Sequence, residues 1–466
     1  MFWLDVVLNL YLREGLVIKR NFLRSICSKV VIDSHVFATL VLRSWGLVAG
    51  LCTMILVPYC LTREEQGFYF TFSSLISIQF FFDLGLNHVL SLIVSHDVAL
   101  LKHSTDDIQR RNIQSRLISI RVQAGRWYKV LSTVFAISVF SVGFLFFAGR
   151  NSFVPVDWFG PWVVLCISSA LNLYVSPQMA ICEGFGQVDR VAALRLYQSI
   201  LGNIVMWGGF LFGNRLWGLI VIPTVGAVFG FWWIKKNPPE KLFGLQPIRD
   251  LLIDSSTNSV IWRRDVFPLQ WRIGLSWISG YFIFQLFNPV VFAVHGSEIA
   301  GRVGLALAAC TAILGIGMSW VNASSVMMSS AIAREDRGAL KGIFRKVAIR
   351  SALFTGAAAL ALVIVCFIGE RCEYSWTVRI VDWQTFGAMG VATLVNCTVG
   401  SMAIFMRCHK EEPMVTVSVV MAFLTAAGVF WSCQYGVKLM FLIYAGLTLF
   451  VALPWACFLF RRYWLR

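Results

Sequence analysis

Asp83, Arg43 and Arg272 are ionisable residues set inside otherwise apolar runs. A charge so placed costs several kcal/mol unless a partner or a wet cavity answers it, so each marks a place where chemistry could occur. Asp83 suits a cation or proton site, or the counter-ion of a nearby arginine. It also precedes Leu84-Gly85, where a helix can kink, so its carboxylate could instead cap freed amides. Arg43 and Arg272 lie toward the ends of their runs. A guanidinium matches phosphate oxygens with a forked set of donors, and the alternative is snorkelling to lipid headgroups. Glu183 closes one run and Arg195 opens the next, which suits an interfacial ion pair. His88 follows Asp83 by about one turn and is a candidate relay partner; a packing histidine is the alternative. Asp83, His88 and Glu183 are thus the ion-coupling candidates. A polar stripe includes Trp271, Ser276, Ser279, Tyr281, Gln285 and Asn288. Tyr281 and Gln285 are four residues apart and share a helix face. These residues line a cavity or act as helix–helix glue.

Several chemistries find no foothold. No Walker-type phosphate loop occurs. The 12 cysteines include no C-x-x-C pair, and most of them sit in apolar runs as small apolar residues, so no metal or redox site is expected. The runs leave only short loops on the face poor in Lys and Arg, which argues against a membrane glycosyltransferase or polymerase. The chain is therefore expected not to be an enzyme.

The elements that must position these residues follow from composition. Of 466 residues, 58% are hydrophobic and 14% charged, against roughly 25% charged in soluble domains. Lipid is the solvent for such a chain. Apolar runs occur near 36–60, 67–95, 127–148, 158–183, 191–213, 216–234, 269–293, 303–328, 347–368, 384–406, 413–433 and 437–460. Each has the roughly 20 residues that span a hydrocarbon core, and their continuity excludes a barrel. The expectation is an all-α membrane protein of about 12 spans. Gly213–Leu216 should form a tight hairpin. Lys and Arg gather in alternate loops, which places both termini in the cytoplasm. The net charge of +16 then reflects loops held near anionic lipid, and no nucleic acid is expected as a partner. Five segments result: an interfacial N-terminal segment 1–35, a six-span lobe 36–234, a cytoplasmic linker 235–268, a second lobe 269–460 and a tail 461–466. The linker carries Pro238, Pro239 and Pro247, with a surface helix expected at Ile248–Ile253.

The two lobes look alike. Arg43, Pro58 and Glu64-Glu65-Gln66-Gly67 precede the second span; Arg272, Pro289 and Glu298-Ile299-Ala300-Gly301 precede the eighth. Gly67 to Ser95 and Gly301 to Ser329 are the same distance. An even number of spans per lobe makes these parallel repeats about an axis along the membrane normal.

Glu65-Gln66-Gly67-Phe68-Tyr69-Phe70, then Phe82-Asp83-Leu84-Gly85-Leu86, resembles the second-helix signature of O-antigen and capsule flippases. Glu298-Ile299-Ala300-Gly301-Arg302-Val303-Gly304-Leu305, with Trp320 and Ala331-Ile332-Ala333, extends the likeness. Val321-Asn322-Ala323 departs from it, since family members often carry Pro there. These flippases fall in the polysaccharide exporter branch of the multidrug/oligosaccharidyl-lipid/polysaccharide superfamily, whose fold is MATE-like. The resemblance implies a bacterial inner-membrane transporter of undecaprenyl-pyrophosphate-linked repeat units, working by alternating access without a resident cofactor. Na+ or H+ would be the coupling ion. Arg43, Arg272, Tyr281, Gln285 and Asn288 would meet the pyrophosphate and sugars. Implied partners are the polyprenyl-linked oligosaccharide, membrane lipids, a polysaccharide polymerase and a chain-length regulator. A drug or cation antiporter of the same fold is the second reading, and a membrane polymerase the third.

Overall fold

The computed structural model describes residues 34–104, 106–149, 156–236, 267–409 and 411–465. The expected N-terminal segment through residue 33, the surface helix at Ile248–Ile253 and Arg466 lie outside the described residues. Among the described residues all regular structure is helical. The first half contains α1 (Ser34–Cys60), α2 (Arg63–Ile76), α3 (Gln79–Asp83), α4 (Leu86–His103), α5 (Asp107–Ala148), α6 (Phe159–Gly184), α7 (Val188–Leu211) and α8 (Gly218–Lys236). The second contains α9 (Phe267–Phe284), α10 (Phe287–Ala333), α11 (Arg337–Arg371), α12 (Trp383–Cys408), α13 (Val415–Ser432), α14 (Val437–Leu447) and α15 (Leu453–Leu465). Nine helical stretches among the described residues are long and apolar enough to cross a membrane, ten if a bent pair counts as one span. Large apolar side chains such as Ile55, Leu145, Phe423 and Phe450 stand exposed on the outside, as hydrocarbon surroundings require. The chain is a multi-pass membrane protein.

Local chemistry sets where the helices start and break. Thr62 and Glu65 form a capping box at α2, each satisfying a free amide of the other. Asp106 caps α5 and Asp336 caps α11, an equivalent start in each half. The second span is not one helix. Leu84 and Gly85 both adopt left-handed backbone, φ 47° and 69°, between α3 and α4, and the axis bends by 41° there. For leucine that conformation costs about 1–2 kcal/mol.

The halves pack alike. In the first, α1 lies on α7, α6 lies on α4, α5 and α8, and α7 lies on α8. In the second, α9 lies on α13, α12 lies on α10, α11 and α14, and α13 lies on α14. The spans preceding the hairpins also match in length, 26 residues each for α6 and α12. The halves meet chiefly where α2 crosses α10, with α1 against α10 and α9 against α3 and α4.

Three expectations change. The basic loops before the third and ninth spans are helical, because α5 and α11 start at Asp107 and Arg337. The loop expected around Glu298 is helix as well: α10 runs through it, broken only at Gly296, φ 85°. Finally, α15 continues to Leu465, so residues 461–465 are helical and continuous with the helix before them. Charge alone does not end a helix, and at Gly296 the positive φ bends the chain without stopping it. The expected hairpin is present: Gly213, φ 83°, turns the chain between α7 and α8.

Candidate functional site

Asp83 closes α3 and is 6% exposed. One carboxylate oxygen accepts from the Tyr128 hydroxyl at 2.5 Å and from Asn87 Nδ2 at 2.8 Å. Asn87 Nδ2 also donates to Ser176 Oγ at 3.0 Å. The cluster thus joins α3, α4, α5 and α6. The break at Leu84-Gly85 turns α4 so that Asn87, four residues on, faces the carboxylate. A buried carboxylate ringed by a hydroxyl and an amide can hold a proton or a small cation. No group of three or more His, Cys, Asp or Glu that could hold a metal occurs among the described residues. The other half offers Asn396 donating to the Tyr444 hydroxyl at 2.9 Å, beside a cavity of about 40 Å³; neither residue of that pair is acidic.

The second feature is the seam between the halves. Gly67 on α2 meets Ser297 and Gly301 on α10 so closely that a Cβ on Gly67 would lie 1.9 Å from the Ser297 carbonyl oxygen. A Cβ on Gly301 would lie 2.9 Å from the Gly67 nitrogen. The two glycines hold equivalent places in the two halves. Around them, Gln66 Nε2 donates to the carbonyls of Gly301 (2.8 Å) and Arg379 (3.2 Å), and Arg379 Nη1 donates to the Leu61 carbonyl at 2.7 Å. At the rim one oxygen of Glu298 accepts from Arg302 at 2.7 Å and Arg63 at 3.4 Å. The Arg302 hydrogen bond, with the charges of Arg302 and Arg63, holds the Glu298 carboxyl below its ordinary pKa. Phe292 packs edge-on against Phe68, with centroids 5.0 Å apart, and seals the layer beneath.

The sequence candidates distribute as follows. Asp83 is buried in its cluster, whereas His88 is exposed, and the carboxylate's hydrogen bonds go to Tyr128 and Asn87. Glu183 pairs with Arg195 at 2.9 Å, as expected. Arg43 is exposed, four residues before Leu47, whose side chain lies against Gly315 of α10; that face of α1 looks to the other half. Arg272 lies on α9, and its side chain lies outside the described residues. Tyr281 is buried against Phe81 of α3, centroids 5.2 Å apart. Gln285 is half-buried between α9 and α10. Asn288 is buried in the seam, Nδ2 donating to Ser74 Oγ at 3.4 Å. Tyr281 and Asn288 therefore sit where the halves touch. Tyr128, Asn87 and Ser176 escaped the sequence reading because it weighed charges in spans and passed over most hydroxyls and amides, although these are also costly in hydrocarbon.

The structure of the lipid II flippase MurJ in an inward closed conformation aligns with TM-score 0.59 at 13% identity, covering 91% of this chain and 86% of that one. The chain shares the fold of lipid flippases and multidrug transporters. An inward-facing multidrug resistance MATE family transporter of the MOP superfamily aligns with TM-score 0.55 at 12% identity, covering 89% and 98%. An outward-facing one gives 0.53 at 12% identity, covering 92% and 97%. No family model matches the chain, and no curated protein matches it. The likeness is therefore one of fold.

Proposed function

We propose that the chain is a flippase of the bacterial inner membrane that moves undecaprenyl-pyrophosphate-linked oligosaccharides to the periplasmic leaflet. The repeat units would serve O-antigen, capsule or exopolysaccharide assembly, passing to a polymerase and its chain-length regulator. The seam carries this reading. The described hydrogen bonds between the halves all involve residues 61–74 of the first half, so one end of the interface is latched. Halves latched at one end can rock about it, which is what alternating access needs. The flippase fold of MurJ, matched over 91% of this chain, supports a lipid-linked cargo. With the bent pair of the second span counted as one crossing, twelve follow if the 60-residue stretch Gly274–Ala333 counts twice, since at 1.5 Å per residue it is about three bilayer cores long, and if α7 is included. The Lys and Arg distribution supports a reading with both termini in the cytoplasm and the latched end outside. Segments 36–234 and 269–460 are then the lobes, joined by the linker 235–268.

In the cycle, Arg43 and Arg272 attract the pyrophosphate with forked donors. Tyr281, Gln285 and Asn288 contact the head as the halves part, and the polyprenyl tail stays in lipid. Asp83, held by Tyr128 and Asn87, takes up H+ or Na+ and couples the return step to a gradient; Glu183, already paired with Arg195, positions α6 and α7. A second reading, a drug or cation antiporter of the same fold, is favoured by the buried Asp83 carboxylate. Reconstituted vesicles separate the two. Flipping of an undecaprenyl-pyrophosphate oligosaccharide, with no efflux of organic cations, supports the flippase; cation efflux without lipid flipping overturns it.

A further inference from the structure

Thr71, Ser74 and Asn288 lie in the seam between Gly67 and the break in the second span. Their exposures are 0%, 2% and 5%, and that of Gln66 is 1%. Three of their polar atoms are buried without a hydrogen-bond partner: Thr71 Oγ1, Asn288 Oδ1 and Gln66 Oε1. Asn288 Nδ2 has only the long 3.4 Å contact to Ser74 Oγ. Gly67, Thr71 and Ser74 share one face of α2, and on packing grounds alone they are a small-residue crossing. Packing does not explain the orphaned atoms. Valine has the shape of threonine, and leucine nearly that of asparagine, and neither would bury an unanswered acceptor in a dry seam.

The orphans are two amide oxygens and one hydroxyl. The two amide oxygens only accept, the hydroxyl both accepts and donates, and none carries a charge, so the set suits sugar hydroxyls and acetamido groups better than phosphate oxygens, which offer no donor. We propose that Thr71, Asn288 and Gln66 form a binding station for the uncharged sugar portion of the cargo, engaged when the seam parts. The station rests on the flippase reading. In the sealed state these atoms are unsatisfied, and in the parted state the sugar satisfies them. The cargo therefore interacts differently with the two states, which is the requirement for any ligand that shifts a conformational equilibrium. The arginines would hold the pyrophosphate, and the seam groups would sense that a glycan is attached.

The test uses spin labels at exposed Tyr59→Cys and Tyr374→Cys, with Cys372 and Cys457 replaced by Ser, in full-length protein in vesicles. Distances between the labels report sealed and parted populations. The probes are undecaprenyl-pyrophosphate bearing a neutral oligosaccharide and the same carrier without sugar. In the wild type and in Thr71→Ser, the glycosylated carrier should raise the parted population at least about fivefold over the bare carrier. Thr71→Val keeps the shape and loses the hydroxyl; it and Asn288→Leu should lose that difference. A full response to the sugar in both of these variants, or equal response of the wild type to both carriers, overturns the station and leaves the flippase standing. A wild type that responds to neither carrier removes the flippase reading, and the station with it.

Discussion

Replacing Gly67 by alanine tests whether the α2–α10 crossing is the latch. The added Cβ would lie 1.9 Å from the Ser297 carbonyl oxygen, 2.6 Å from its carbon and 2.9 Å from its Cα. All three are backbone atoms of a helical segment, so no side chain can swing aside. Comfortable heavy-atom contact is about 3.5 Å, so the helices must separate by roughly 1.5 Å. Forcing an extra methyl into a packed site costs about 1–3 kcal/mol or more. That cost falls on the sealed state alone, and it shifts the sealed-to-parted ratio by about 5–150-fold. A second effect opposes it: glycine to alanine within a helix gains about 1 kcal/mol. That gain is common to both states and leaves their ratio untouched. The same pair of spin labels at positions 59 and 374 reads the outcome as a new long-distance population. Gly50→Ala is the control, because a Cβ there meets nothing within 4 Å. A distance distribution for Gly67→Ala that matches the wild type and Gly50→Ala, in protein that melts normally, would falsify the latch.

Three further outcomes follow from the same geometry. Glu298 has a folded pKa held below its ordinary value by Arg302 and Arg63, so its contribution to the seam is fully present above the ordinary carboxylate range and lost as pH falls through the lowered value; the parted population should be flat through neutral and mildly acidic pH and rise only as pH falls below the ordinary carboxylate range, and Glu298→Gln should raise it at neutral pH. Asp83→Asn keeps an oxygen to accept from Tyr128 and Asn87 but removes the titratable carboxyl, so gradient-driven flipping should stop while the melting temperature holds; wild-type flipping would exclude Asp83 as the coupling group, and Tyr128→Phe should lower stability by about 1 kcal/mol by removing a hydrogen bond to the buried carboxyl. Arg272→Ala should abolish surface polysaccharide in cells with the protein still inserted, and Arg272→Lys should restore only part because the forked contact is gone; full export by the alanine variant would leave snorkelling as the account of that residue.

Much of the scaffold was legible from hydropathy, since every long apolar run in a bilayer must satisfy its own backbone and so becomes helix. The break at Leu84-Gly85 and the Glu183–Arg195 pair were also readable, because each rests on local residue types. The seam was not. Gly67, Thr71, Ser74 and Gly301 have near-neutral hydropathy and leave no mark on a hydropathy trace, and their role depends on which helix they meet. Asn288 was singled out as a cavity residue on polarity alone, and only the fold shows that it lies against Ser74 in a closed interface. Helical continuation through Glu298 was hidden for a related reason, since charge suggested a loop where the backbone needed only Gly296 to bend.

Once the fold is known, the repeat accounts for the crossing of the two glycines. In parallel repeats about an axis along the membrane normal, a helix beside the axis has its own equivalent as its nearest partner in the other half. Residues near such an axis contact their own counterparts, as in an isologous interface. The matched intervals from Gly67 to Ser95 and from Gly301 to Ser329 mark the two glycines as counterparts. Only residues without side chains allow counterpart backbones to approach within contact distance on the axis, so a glycine in one half calls for a glycine, or very little more, in the other. The observed approach of Gly301 to the Gly67 nitrogen is that condition met. It also explains why the surrounding latch is not symmetric. Gln66 corresponds to Ala300, so the donor that ties the halves comes from one half only, and Arg379 supplies the return bond to Leu61 from elsewhere in the second half. A symmetric crossing held by asymmetric bonds can be loosened by acting on one half alone.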